Sequence, residues 1–310
     1  MNSFIRSAFL FAFLLFTTLA ADYELKYPHG KRVSDPFHPQ DKYVEPELKA
    51  FKELANQTLH PKDAQNLHRW IDKSLFRGTC IGQCYTFLML NPPETKTLIL
   101  PSTPWAQKMV VWFQAKEFTR YFYVNSYWAL EKKGIELVRR KDPNLSKTDE
   151  QIGEQLSKYL SKLEQHPEFE KECHQLLQKY KLLGQVYDFT CKLDRQESKI
   201  LANKGVKSLR PIRKEKKSCP EDFKTASQRI LMRFMRNPSI TDAVICFNLI
   251  VERKVSGHAI LVQFKHLRIY DPARGIFEYE TEEDLIKDLP ISKHHGCSFF
   301  FIQPFKRTVL

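Results

Sequence analysis

The apolar residues of this 310-residue chain change their spacing once, and that change limits the folds open to it. Up to about residue 236 they recur at helical spacing. From Ala243 onward the segments 243–251, 259–264, 267–270 and 276–279 are rich in β-branched and aromatic residues and read as strands. Residues 282–289 read as a short helix and 297–302 as a final strand. Helices first and a meandering antiparallel sheet last predict an α+β fold.

Within the first part, residues 22–60 are polar, proline-bearing and weakly periodic, and read as an N-terminal arm or propeptide-like lead. Helices are expected over 62–73 and 80–90, the second stopped by Asn91-Pro92-Pro93 because proline cannot continue the hydrogen-bond ladder. Over 105–132, Val111, Ala115, Phe118 and Phe122 fall on one face, as in one or two helices packed in a core. Residues 149–165 and 167–183 form an amphipathic pair, with Ile152, Leu156, Leu160 and Leu163 on one side. The Lys- and Arg-crowded stretch 204–217 reads as a solvated loop, with a docking patch for an acidic partner as the alternative. A helix follows over 220–235, with Pro220 in its first turn. The block 140–236 is therefore expected to be a helical insertion within a domain spanning 61–310.

A hydrophobic share of 42% with 13% aromatics marks a globular chain. The net charge of +13 bears on partners rather than on fold, and suits an acidic protein surface or an anionic membrane face. Nucleic acid is not expected, since no recognition motif accompanies the charge. Residues 1–21 have the form of a signal peptide: Arg6, an apolar run over 8–16, then Thr18-Leu19-Ala20 or Leu19-Ala20-Ala21 at the cleavage point. The run is shorter than the roughly 20 residues of a membrane span. Export is the expectation. The seven cysteines are an odd number, which leaves one thiol free even if the others pair.

Three residues carry candidate chemistry. Cys80 follows Gly78-Thr79 and opens the apolar helix; a thiolate is the reactive form of cysteine, and a helix N-terminus favours negative charge. Its own backbone N–H would face a developing oxyanion. His258, in Gly257-His258-Ala259, would serve as base. Asp271, in Tyr270-Asp271-Pro272, ends the next strand, where it would fix the imidazole tautomer. Read singly, His258 is an ordinary strand histidine and Asp271 an Asp-Pro turn. Together their order is that of a thiol nucleophile, its base and an orienting carboxylate. His294-His295 lacks a third ligand at zinc spacing, and no metal or cofactor is expected.

The segments Gly78-Thr79-Cys80-Ile81-Gly82-Gln83-Cys84-Tyr85-Thr86-Phe87, Gly257-His258-Ala259 and Tyr270-Asp271-Pro272-Ala273-Arg274-Gly275-Ile276-Phe277 resemble the YopT/AvrPphB family of bacterial effector cysteine proteases. The resemblance covers about residues 75–90 and the C-terminal seventy. It implies a papain-like fold with Cys80 as nucleophile, His258 as general base and Asp271 as orienter, and a protein substrate, with a host protein among the candidates. Ala273 stands where the family has Asn, and the interval from Cys80 to His258 is longer. No side-chain amide stands five or six positions before Cys80, so the second oxyanion donor is unassigned. The expected leader also differs from the family's contact-dependent secretion. Gly82-Gln83-Cys84 is similar to the pattern around the papain nucleophile, which keeps Cys84 as a rival to Cys80. A transglutaminase- or deamidase-type acyl transferase, and a secreted binding module without activity, are the other readings.

Overall fold

The computed structural model describes residues 27–75, 79–92, 97–215, 220–251, 254–289 and 296–307. The expected leader, Gly78, Cys219 and the His294-His295 pair lie outside the described residues. In chain order the strands are β1 (Lys31–Ser34), β2 (Val206–Ser208), β3 (Ile212–Glu215), β4 (Asp242–Val251), β5 (Lys254–Gln263), β6 (Arg268–Asp271), β7 (Gly275–Glu278) and β8 (Gly296–Arg307). The helices are α1 (Asp41–Thr58), α2 (Pro61–Leu75), α3 (Cys80–Leu90), α4 (Pro104–Lys141), α5 (Asp149–Glu154), α6 (Leu156–Leu163), α7 (Glu170–Ala202), α8 (Pro220–Met235) and α9 (Glu282–Asp288).

The strands form one antiparallel sheet in the order β1-β7-β6-β5-β4-β8-β2, with β3 also paired to β8. β4 and β5 pair along their whole lengths, Asp242 opposite Gln263 and Val251 opposite Lys254. Opposed residues share a face of the sheet. On one face, Val244, Leu261, Tyr270 and Phe305 meet α3: Phe87 stacks on Tyr270 with ring centroids 4.3 Å apart, and Tyr85 meets Phe305 edge-on at 5.6 Å. On the other, Ile245, Phe247, Ile260, Val262 and Ile269 pack with Leu231 and Phe234 of α8 and Leu285 of α9. Burial on both faces explains why Ala243 to Phe247 is apolar without interruption rather than alternating. The mixture of helices with an antiparallel sheet agrees with the α+β expectation.

α3 ends as its prolines require. Asn91 caps it, its side-chain amide donating to Phe87 O at 3.0 Å, and Arg307 of β8 donates to Leu88 O and Asn91 O at 2.6 and 2.9 Å. The helix is thus anchored to the sheet at its far end, leaving its first turn at the other.

The chain divides into two compact units. The first holds the described residues up to Lys49, then Asp72–Ala115, and those from Arg195 onward; the second holds Ala50–Ile71 and Lys116–Asp194. This corrects the expected insertion over 140–236. Its start lies earlier, because α4 is one helix of 38 residues, not a helix ending near 132. Its end lies earlier too, because Leu231 and Phe234 of α8 bury against the sheet. Inside the second unit, Ile152, Leu156, Leu160 and Leu163 bury together with Leu137, Phe169 and Leu176, as their spacing predicts.

Two polar segments also differ from their reading. Residues 204–217 contain β2 and β3 rather than a solvated loop: Val206 is buried and pairs opposite Arg307, while Lys207 stays exposed on this short strand. The segment 22–60 is not a loose arm over its described part. It supplies the strand β1 at the sheet's opposite end and the helix α1, and Tyr27 packs on Phe277 with centroids 4.3 Å apart. Polar composition hides both cases, because a short edge strand needs few apolar residues.

Candidate active site

All the residues of the site belong to the first unit. α3 begins at Cys80, and every residue from Ile81 to Met89 is buried. Its first turn is drawn tightly onto α4. Gly82 N–H donates to Gln114 Oε1 at 2.8 Å, and a Cβ at Gly82 would stand 2.0 Å from Val110 O. Thr79 has no side-chain cap bond to the helix; instead Gln83 Nε2 donates to Thr79 Oγ1 at 2.8 Å. Cys80 is left half-buried, its thiol near enough to His258 to act on the charge of the ring.

His258 lies midway along β5, opposite Phe247, whose ring meets the imidazole edge-on at 5.7 Å. The β5–β6 ladder pairs Leu261 with Tyr270, so one step further Asp271 falls opposite Ile260. His258 is then its diagonal neighbour on the same face, within reach of two extended side chains. The imidazole Nε2 donates to Asp271 Oδ1 at 2.9 Å. Nδ1 is then the ring nitrogen that Asp271 does not engage.

Asp271 is fully buried, and its carboxylate accepts three hydrogen bonds. Besides His258, the Ala273 N–H donates to Oδ1 at 2.8 Å and the Tyr27 hydroxyl to Oδ2 at 2.6 Å. Arg274 N–H donates to Asp271 O at 3.0 Å, closing the turn. One Asp-Pro turn thus carries both the backbone reversal and the carboxylate's contact with His258.

Charge distribution follows from these contacts. Burial alone would push the His258 imidazole down, but the Asp271 charge and hydrogen bond, with the Cys80 thiol, outweigh it and raise the ring to about 10. Burial would raise the Asp271 carboxyl; the His258 charge, with the hydrogen bonds from His258, Tyr27 and Ala273, holds it below its ordinary value instead. The carboxylate is fully enclosed and the imidazole is not, and the buried charge persists because Tyr27 and Ala273 also donate to it.

Cys84, one helical turn beyond Cys80, is fully buried, and burial pushes its thiol well above the ordinary range. Neither Cys80 nor Cys84 is in a disulfide. Three further residues of the site escaped the sequence reading. Gln83 and Tyr270 lie inside quoted motifs, yet nothing there signals that the Tyr270 hydroxyl donates to Gln83 Oε1 at 2.8 Å. Tyr27, 244 positions from its carboxylate partner, carries no signal in the sequence.

No protein-family model matches the chain, and neither does any curated protein. Among solved structures, the crystal structure of the Pseudomonas avirulence protein AvrPphB aligns with a TM-score of 0.31 and 8% identity, over 74% of this chain and 92% of that one.

Proposed function

We propose that the protein is a thiol endopeptidase of papain-like mechanism, with Cys80 as nucleophile, His258 as general base and acid, and Asp271 as the orienting carboxylate. The observation that supports the reading is the His258 ring, bonded to the buried Asp271 carboxylate at 2.9 Å and acted on by the Cys80 thiol beside it. Its order along the chain and its motifs are those that the resemblance implies.

With the proton that the Cys80–His258 pair shares held at His258 Nδ1, the sulfur adds to the carbonyl carbon of the scissile amide. The oxyanion forms at the first turn of α3, where the Cys80 backbone N–H is the donor. Collapse breaks the C–N bond, and the amine leaves with the proton from His258. Water then adds to the thioester, giving its proton to the same nitrogen, and the acid departs as the thiol is restored. Asp271 keeps its proton count throughout while holding Nε2–H in place.

The leader expected over residues 1–21 makes this an exported enzyme, and the positive charge suits acidic protein substrates or an anionic membrane beside them. The test is incubation of the full chain with unfolded casein, scoring new N-termini by mass spectrometry. Cleavage that disappears in Cys80→Ala is expected. Ammonia release without new termini would point to glutamine deamidation instead. No reaction of either kind, together with Cys80 alkylating no faster than Cys173, would sink the assignment.

A further inference from the structure

We infer that Tyr27 is a positioning residue of this site, delivered by an N-terminal strap that has to stay on the chain for Asp271 to work. The inference rests on the thiol chemistry proposed above. Asp271 Oδ1 is occupied by His258 and by the Ala273 amide, whereas Oδ2 receives the Tyr27 hydroxyl at 2.6 Å. The tyrosine is buried, its ring against Phe277, and burial beside this carboxylate keeps its hydroxyl protonated. It is thus a permanent donor, fixing the carboxylate plane and favouring its ionised form.

The strap holding Tyr27 is built in detail. Asp288, itself buried, accepts from the backbone N–H groups of His29 and Gly30 through Oδ2, at 2.9 and 3.1 Å, while Oδ1 meets His29 Nδ1 at 2.5 Å. Gly30 lies against the Tyr279 ring, where a Cβ would be 2.8 Å from the ring carbon. Arg32 then pairs with Phe277 as β1 joins β7. A segment held by side chain, backbone and sheet is unlike a lead awaiting removal. Cleavage within residues 27–34 would disconnect the donor, so processing that preserves activity has to fall before Tyr27, as the expected cut near residues 20–21 does.

The test needs no substrate. The rate of Cys80 alkylation by iodoacetamide is followed by mass spectrometry from about pH 3 to pH 10 in the full-length chain, in Tyr27→Phe, and in a chain with 3-fluorotyrosine at position 27 alone. Without the hydroxyl, Asp271 takes its proton at higher pH, and the acid-side limb of the profile is expected to move up by about one pH unit. The fluorinated ring, a stronger donor, is expected to move it down. A purely structural role would lower the labelled fraction and leave the limb in place, and superimposed profiles from folded chains would overturn the inference while sparing the proposed enzyme. Where Tyr27→Phe fails to fold, the fluorinated chain decides by itself, an unmoved limb overturning the inference. A wild-type Cys80 that alkylates as an ordinary thiol would overturn both.

Discussion

The Tyr270 hydroxyl donates to Gln83 Oε1 across the interface between β6 and α3, and Gln83 Nε2 passes the connection on to Thr79. Tyr270 precedes Asp271 and Thr79 precedes Cys80. One buried amide therefore ties the backbone beside the carboxylate to the backbone beside the thiol, on the face of the sheet opposite to the His258–Asp271 contact. The ring stacking of Phe87 on Tyr270 holds the same junction. Two elements brought together from distant parts of the sequence are thereby kept in one register.

Replacing Tyr270 by Phe keeps the stack and removes only the donor. Gln83 Oε1 is then buried without its partner, a loss of about 1–3 kcal/mol. Urea unfolding is expected to show that loss, with slower Cys80 alkylation in the folded protein. A variant as stable as wild type would mean that the amide is satisfied some other way.

Cys84→Ala separates the two thiols of the motif. The side chain is small and fully enclosed, so stability is expected to fall by about 1 kcal/mol, roughly one buried group's worth. Cleavage and Cys80 alkylation should persist. If Cys84→Ala abolishes activity while Cys80→Ala retains it, the nucleophile has been assigned to the wrong turn of the helix.

Two glycines make a contrasting pair. At Gly82 a methyl group would stand 2.0 Å from a main-chain oxygen of α4, so the helices must separate and the Gln114 bond must stretch. Overpacking of this kind costs about 1–3 kcal/mol or more. At Gly184, within α7, an added methyl would meet nothing within 4 Å. There Ala is expected to be neutral or to stabilise by up to about 1 kcal/mol through helix propensity. Thermal and urea midpoints should fall for Gly82→Ala and hold or rise for Gly184→Ala, and equal shifts would contradict the close approach.

Much of this was legible in the sequence, for physical reasons. α3 was readable to the residue because a glycine-flanked start, a largely apolar run and two prolines mark both its ends. The meander was readable because adjacent antiparallel strands follow one another along the chain. His258 and Asp271 were linked by that same locality. Tyr27 was not, since a single aromatic in a polar segment gives no hint of a carboxylate at the far end of the chain. The insertion was misplaced for a related reason: α8 is amphipathic like its predecessors, and spacing alone does not say which core its apolar face joins.

The His258–Asp271 pair also sets a pH window for stability. Unfolded, the imidazole has its ordinary value of 6.5; folded, it is raised to about 10. Below 6.5 both states carry the proton and its stabilising effect is complete. Between 6.5 and 10 the folded state holds a proton that the unfolded state has released, so stability falls as pH rises, by up to about 1.4 kcal/mol per pH unit from this group. Asp271 acts at the other end, because its folded value lies below the ordinary 3.8: its contribution is present above 3.8 and is lost as pH falls through the lowered value. The pair should therefore stabilise most fully between 3.8 and 6.5. Urea unfolding of wild type and His258→Gln at stepped pH measures the difference. The wild-type advantage is expected to shrink steadily on the alkaline side, and parallel curves for the two proteins would show that no proton is held at His258.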